Sequence, residues 1–267
     1  MKLKNILLGS ALLSSTFFAS TLFAGGDITP VEPVVEETSV ETSAWSFEFE
    51  PYMIIASMSG NSQMGRGPNL EIDVDFSTIL ENLDMGAMAH FEAHHESGWG
   101  LWLDYGFMDL SSDITGPVGG VTDASIRQGI FEAFGMYRQE LSKGYVDYLA
   151  GIRWWDNDID VSHTILPVAI EVEEDWVDLV VGARWTTPIN ENWNFSVLGT
   201  IGGFGLESDL TASGAIGVKY VINDLLDLDL QYKATWADYE SGTKRTADYF
   251  AYDVVTYGSI IGLNFKF

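Results

Sequence analysis

The 267-residue chain carries 39 acidic side chains against 13 Lys and Arg, a formal charge of −26, and no cysteine. That balance excludes nucleic acid as a partner, because phosphate binding needs clustered cations, and the lack of thiols excludes disulfides, a lipid-anchored N-terminal cysteine and thiol chemistry. With 9 Trp, 11 Tyr, 15 Phe and 27 Gly, the chain is rich in aromatics and glycine, and its apolar residues alternate instead of clustering.

Residues 1–24 place Lys2 and Lys4 before an uncharged run (Ile6, Leu7, Leu8, Leu12, Leu13, Phe17, Phe18) and end at Ala24. A basic start, a short apolar centre and a small terminal residue predict a secretory signal peptide. Serines at 10, 14, 15 and 20 interrupt the run, so it falls short of the roughly 20 apolar residues of a spanning helix. Removing it takes away two lysines and moves the charge from −26 to −28. Residues 25–44 are rich in Pro, Glu and Thr without periodicity, which predicts an acidic, solvated tether on the periplasmic side.

From Trp45 to Phe267 the pattern is strand-like. Trp45, Phe47, Phe49, Pro51 and Met53 share one face, and Ser46, Glu48, Glu50 and Tyr52 the other. Residues 60–84 break the alternation with a Gly-rich turn, a short alternating piece at 70–76 and a helical turn opening at Ser77; this insert reads as the first outer loop, folded over the mouth of the barrel or into it as a plug, with a further strand pair as the alternative. Nine more strands follow at 85–95, 99–110, 125–141, 145–159, 176–187, 193–206, 211–222, 226–239 and 250–267. Short turns at 97–98, 142–144, 190–192 and 223–224 alternate with longer segments at 111–124, 160–175 and 240–249. The fold class predicted is all-β: an antiparallel up-and-down transmembrane β-barrel of about ten strands, with eight or twelve as neighbouring counts. A soluble β-sandwich is the rival architecture.

One face of these strands (Leu101, Leu103, Tyr105, Phe107; Tyr148, Ala150, Ile152; Val177, Leu179, Val181; Leu226, Leu228, Leu230) carries no charge and is assigned to lipid. The other carries the ionisable residues. Asp147-x-x-x-Gly151-x-Arg153-Trp154 is echoed by Asp178-x-x-x-Gly182-x-Arg184-Trp185. On neighbouring antiparallel strands, one register faces Asp147 with Arg184 and Arg153 with Asp178, which predicts two interior salt bridges in a network that also includes Glu132 and Arg138. A second polar cluster is expected from His90, Glu92 and His94 on one strand with Asp104 on the next. An acid beside an imidazole is the minimum for general-base or metal chemistry, but no serine aligns with it, and a satisfied polar interior is the preferred reading, with no catalytic site, metal or cofactor. His95 is expected near the headgroups and His163 in an outer loop. At about ten strands the interior is nearly filled by side chains, which favours a plugged lumen over an open pore.

The terminal stretch Tyr257-Gly-Ser-Ile-Ile-Gly-Leu-Asn-Phe-Lys-Phe267, with Tyr257, Leu263, Phe265 and Phe267 on one alternating face, resembles the C-terminal assembly signal of outer-membrane β-barrel proteins. Together with the signal peptide and the Gly-x-Arg/Lys-aromatic strands, it makes residues 45–267 similar to the small barrels of the OmpA-type superfamily, without the peptidoglycan-binding domain that some of them carry. The resemblance implies residence in the bacterial outer membrane with the C-terminus in the periplasm. It implies contact with outer-membrane lipid and lipopolysaccharide, and recognition by the barrel-assembly machinery through the last strand. It leaves the oligomeric state open and specifies activity poorly. A non-enzymatic envelope-structural or surface-interaction protein is the leading expectation; a narrow channel for ions or small solutes is the first alternative, and a barrel hydrolase or acyltransferase the second.

The outer segments are crowded with acids. Asp156-Asn-Asp158-Ile-Asp160 superficially resembles a calcium loop, yet lacks its Gly and distal Glu. Divalent cations bridging these acids to anionic lipid headgroups is a milder expectation. Its outcome would be a barrel that unfolds more readily in chelator than in millimolar Mg²⁺, read by the temperature of heat-modifiable gel migration; equal stability in both would end it.

Overall fold

The computed structural model describes residues 43–115, 121–163 and 169–267, and the expected signal peptide and tether lie outside them. The described chain is nearly all strand: β1 (Trp45–Met64), β2 (Leu70–Val74), a short helix α1 (Phe76–Glu81), β3 (Leu83–His95), β4 (Trp99–Thr115), β5 (Val121–Glu140), β6 (Tyr145–His163), β7 (Ala169–Pro188), β8 (Trp193–Gly202), β9 (Leu210–Asn223), β10 (Leu226–Ser241) and β11 (Phe250–Lys266). Consecutive strands pair antiparallel from β3 to β11, β1 pairs with β3, and β11 returns to pair with β1. Ten strands therefore close an up-and-down barrel, and β2 is a short addition outside that count.

Closure runs in one register from Glu48↔Lys266 to Met64↔Phe250, missing only Glu50 and Pro51. At the very end Phe47 and Phe267 exchange backbone hydrogen bonds of 3.1 and 2.9 Å. Phe265 faces Phe49 and Leu226, and Tyr257 faces Ser57 and Ala234, so the terminal strand is stitched on both sides. Trp45, Phe267 and the short connections all lie at one end, called here the near end.

The outside of the barrel is apolar. Tyr148, Leu179, Val181, Ile201, Ile216 and Tyr232 are all exposed, together with many other large hydrophobics. Along β11 the apolar exterior runs from Phe265 to Val255, the partner of Trp236. That is about 33 Å along a strand, or about 25 Å once a tilt of roughly 40° is allowed for, the height of a bilayer's hydrocarbon. Trp185, Trp193, Phe195 and Tyr220 cluster at its near-end rim, where amphipathic rings suit headgroups.

Three expectations change at the far end. The segments at 111–124 and 160–175, expected as loops, are largely strand: β4 reaches Thr115, β5 starts at Val121, β6 reaches His163 and β7 starts at Ala169. Their polar sequence concealed this, because the β6/β7 extension faces acid with acid at Asp156↔Asp175, Asp158↔Glu173 and Asp160↔Glu171. His163 ends β6 instead of occupying a loop. By contrast β8 stops at Gly202, four residues short of expectation, and Gly203, Phe204 and Gly205 turn the chain inward through left-handed conformations.

The insert at 60–84 is neither a plain loop nor a full strand pair. β1 runs on to Met64, and β2 folds back beside its upper part, Met58↔Val74 to Ser62↔Leu70. Below that, β1 pairs with β3 only from Trp45↔His95 to Pro51↔Ala89. Pro51 brings no N–H to a ladder, and Tyr52–Ser57 has β11 on one side and no strand partner on the other. The helix α1 sits over this interruption and sends Ile79 into a buried cluster with Ala56 and Met58. Its N-cap is Asp75, not the expected Ser77: the carboxylate accepts from the Thr78 N–H and the Ser77 hydroxyl, both at 2.8 Å. Those bonds hold the exposed Asp75 carboxyl below its ordinary value of 3.8. A depressed folded-state pKa gives stability that is present above the ordinary value and lost as pH falls through the folded one. Protection of the Thr78 and Ile79 amides from hydrogen exchange, relative to their intrinsic rates, is thus expected to fall below pH 4, and in Asp75→Ala to be reduced already at neutral pH; unchanged protection in the variant would remove Asp75 as the cap.

Candidate functional site: the lumen

Side chains alternate across each strand, so the even residues of β1, β3 and β4 and the odd residues of β6 point inward. Burial bears this out: Glu50, Glu92, Asp104, Glu132, Asp147, Arg153, Asp178, Asp227 and Asp229 are all buried. Charges in such a place must be paired and hydrogen-bonded, and they form two connected groups.

The first occupies the near half. Arg184 donates through Nη1 and Nη2 to both oxygens of Glu92, the latter at 2.7 Å, and through Nε and Nη2 to Asp147 at 3.1 and 2.7 Å. Arg138 reaches the same Asp147 at 2.7 and 3.1 Å, and its guanidinium lies 3.6 Å from the centre of the Tyr145 ring. Glu92 also meets His90 Nε2 at 2.8 Å and His94 Nε2 at 2.7 Å, while His90 Nδ1 stands 3.2 Å from Asp104. Tyr52 donates to the other Asp104 oxygen at 2.9 Å. Arg184 therefore joins the expected His90, Glu92, His94 and Asp104 cluster to the Asp147 and Arg138 part of the expected salt-bridge network. Beside it Lys219 sits among Glu48, Glu50 and Asp229 at 3.4 to 3.9 Å, and Asn264 donates to Glu48 at 2.6 Å.

The second group is centred on Arg153, which has no exposed surface. The register is as expected, with Asp147 facing Arg184 and Arg153 facing Asp178, but the second ion pair does not form. Arg153 turns to the strand on its other side and binds Glu132, with Nε at 2.7 Å, then crosses the lumen to the hydroxyls of Thr211, Thr200 and Ser213 at 2.9 to 3.0 Å. Asp178 accepts instead from Trp155 Nε1 at 3.2 Å and from the backbone N–H and hydroxyl of Ser208 at 3.1 and 2.8 Å. The inward turn after β8 delivers that Ser208, which is fully buried. It brings two neutral donors to Asp178, and Glu132 gives Arg153 a charged partner.

Sequence reasoning missed the far half. There Trp155, Trp176 and Tyr239 stack, with ring centres 5.5 and 3.9 Å apart, beside Phe250 and Tyr252. Tyr239 and Ser241 donate to Glu174 at 3.1 and 2.9 Å, and Gln128 bridges Asn157 and Tyr252. Trp155 and Trp176 occupy inward positions by strict alternation, directly opposite each other, and that parity was the available signal. The free space is divided: cavities of about 190, 50 and 70 Å³ follow one another from the near mouth past Arg184 and Lys219 to Lys233 and Gln128. Gly262 supplies part of the needed room, since a Cβ there would fall 2.2 Å from the Glu50 carboxylate. His95 stays outside the network, bonded to Ser97 at 2.8 Å and packed on Trp45 at the near rim. No cluster of His, Asp and Glu suited to a metal occurs among the described residues.

No protein-family profile matches the chain, and no curated protein matches it. Solved structures similar to it are barrels. They include the β domain of the Bordetella autotransporter BrkA (11% identity, 84% of this chain and 99% of that one, TM-score 0.41). Neisserial surface protein A (13%, 84% and 98%, 0.28) and the Yersinia pestis attachment invasion locus protein Ail (9%, 85% and 100%, 0.33) are others.

Glu132→Ala would leave Arg153 buried without its counter-charge, and a loss of about 3–5 kcal/mol is expected. Asp178→Asn keeps an acceptor for Ser208 and Trp155, and a loss of about 1 kcal/mol is expected. Urea unfolding of the barrel refolded in lipid vesicles checks the ranking; equal losses would return Asp178 to Arg153.

Proposed function

We propose that the chain is an integral outer-membrane barrel of the small OmpA-type kind, non-enzymatic and closed, with an envelope-structural or surface-interaction role. The observation that carries closure is the stack of Trp155, Trp176 and Tyr239 across the far half of the lumen, above a near half filled by salt bridges. An apolar exterior of bilayer height and an aromatic near-end rim support the membrane setting, and the predicted signal peptide and terminal aromatic strand support the outer membrane, with the near end in the periplasm. Assembly through Tyr257, Leu263, Phe265 and Phe267 fits the exposure of Leu263, Phe265 and Phe267 on the outer surface. A non-enzymatic reading is supported by Arg184, which occupies both oxygens of Glu92 and so engages the carboxylate nearest the histidines. Strands β4 to β7, which extend furthest beyond the apolar belt, are the surface offered to partners outside.

A narrow channel is the second reading, favoured by the run of cavities from the near mouth past Arg184, Lys219 and Lys233 to Gln128. Single-channel recording in planar bilayers decides between them. The refolded wild type, and Arg184→Ala, are expected to be silent, because the aromatic stack still blocks the far half. Trp176→Ala with Tyr239→Ala is expected to give stable steps. Cation-selective steps from the wild type, altered by Arg153→Ala or Arg184→Ala, would establish the channel and overturn closure.

A further inference from the structure

The interruption of the wall between β1 and β3 is a built feature. Pairing stops at Pro51↔Ala89 and resumes on β1 only with β2 at Met58↔Val74. On the β11 side, Tyr52–Ser57 is level with Gly262–Tyr257, inside the apolar belt, and on the β4 side Met88 and Ala87 are level with Gly106 and Phe107 near its outer margin. A barrel wall in hydrocarbon ordinarily leaves no strand edge open, because lipid cannot hydrogen-bond the backbone.

The gap is occupied by an apolar groove of about 190 Å³, lined on the β1 side by Met53 and Ile55, on the β3 side by Ala87 and Met88, and roofed by Phe76 and Leu80 of α1. Its exposed lip is made of Met53, Leu83 and Leu80, so its mouth opens onto the outer half of the lipid belt. Its inner wall is shared: Tyr52, Ile54, Met88 and Met108 also bound the lumen cavity of about 70 Å³ below the aromatic stack. Opposite Met88 stands Gly106, and a Cβ there would come within 3.4 Å of Met88 and 3.7 Å of the Tyr52 hydroxyl.

We infer that this groove binds one acyl chain of an outer-leaflet lipid, drawn in laterally between β1 and β3 beneath α1. Three observations select that occupant. The mouth faces the apolar belt, so the medium at its entrance is hydrocarbon. The lining is methionine-rich, with Met53, Met88 and Met108, and such side chains adapt to a flexible apolar guest. The lumen cavity behind the shared wall is lined by Asp104, Glu132 and Lys233, a net anionic set that disfavours an acidic headgroup inside and leaves the head in the interface. The inference rests on the membrane setting proposed above and adds a lipid-binding site in the wall.

Because the chain has no cysteine, single thiols can carry a bimane label. Ala87→Cys marks the outer side of the groove, Met88→Cys its lumen side, Ala150→Cys the lipid face of the intact wall, and Ser196→Cys the lumen behind intact wall. The full-length barrel is refolded into phosphatidylcholine vesicles whose acyl chains are brominated at mid-chain, with heat-modifiable migration confirming each variant. Met88→Cys is expected to lose as much emission as Ala150→Cys while Ser196→Cys keeps its own, and adding Ala87→Phe, which fills the groove, is expected to restore emission at Met88. Quenching at Met88 no greater than at Ser196, or undiminished by Ala87→Phe, would overturn the inference. So would quenching of Met88 by a dissolved bromoalkane but not by brominated lipid, which would make the guest a free apolar solute. An unquenched Ala150 would overturn the membrane setting together with the site.

Discussion

The constraint on which the rest depends is that a sheet in hydrocarbon must leave no backbone group unpaired. Here that is met, apart from the β3-facing edge of Tyr52–Ser57 beneath α1, by the long ladder between β11 and β1, finished by the reciprocal bonds of Phe47 and Phe267. Closure fixes everything downstream. It sorts each strand into a lipid face and a lumen face, and it brings residues 216 positions apart, such as Glu48 and Asn264, into hydrogen-bond contact. It also makes the lumen small enough that charges inside it must find each other.

The two halves of that lumen solve the filling problem differently. Near the barrel's termini, three cations, Arg138, Arg184 and Lys219, are surrounded by five acids: Asp147, Glu92, Glu48, Glu50 and Asp229. Such a network is costly to bury and costly to break, because removing one member strands another. In the far half Trp155, Trp176 and Tyr239 fill the same cross-section with apolar area, and polar groups there include Glu174, which accepts from Tyr239, and the Gln128–Asn157 pair. An ion entering from the near side meets fixed charges first and an apolar constriction second. The order matters, since the constriction offers nothing in exchange for the hydration shell lost on entering it.

Period-two alternation made the fold legible in sequence, since a one-residue slip would turn every apolar side chain inward. The strand count, the charge-free outer face and the Asp147↔Arg184 register follow from that parity and from equal spacing in two neighbouring motifs. Three things were hidden for distinct physical reasons. Arg153 has a long side chain and a neighbour on either strand, so facing Asp178 does not bind it to Asp178 when Glu132 lies on the other side and hydroxyls lie across the lumen. Strand length at the far end was hidden because facing acids such as Asp158 and Glu173 violate the usual cross-strand pairing and read as loop. The aromatic stack needed β10 and β11 placed against β6 and β7 across the barrel, which no local pattern records.

The break beside Pro51 shows how these elements constrain one another. The β1–β3 ladder ends at Pro51, and the barrel can tolerate the loss because β11 still holds Tyr52–Met64 of β1 on its other side. The freed chain between β1 and β3 then has length enough to fold β2 and α1 against the opening, and Asp75 caps the helix that covers it. Ile79 turns the patch into part of the core by entering the same buried cluster as Trp176 and Tyr239. The plug of the lumen and the patch on the wall are therefore one apolar body reached from two directions. Loosening α1 would expose the flank of the stack that closes the barrel, which couples the wall opening to the state of the lumen through shared packing.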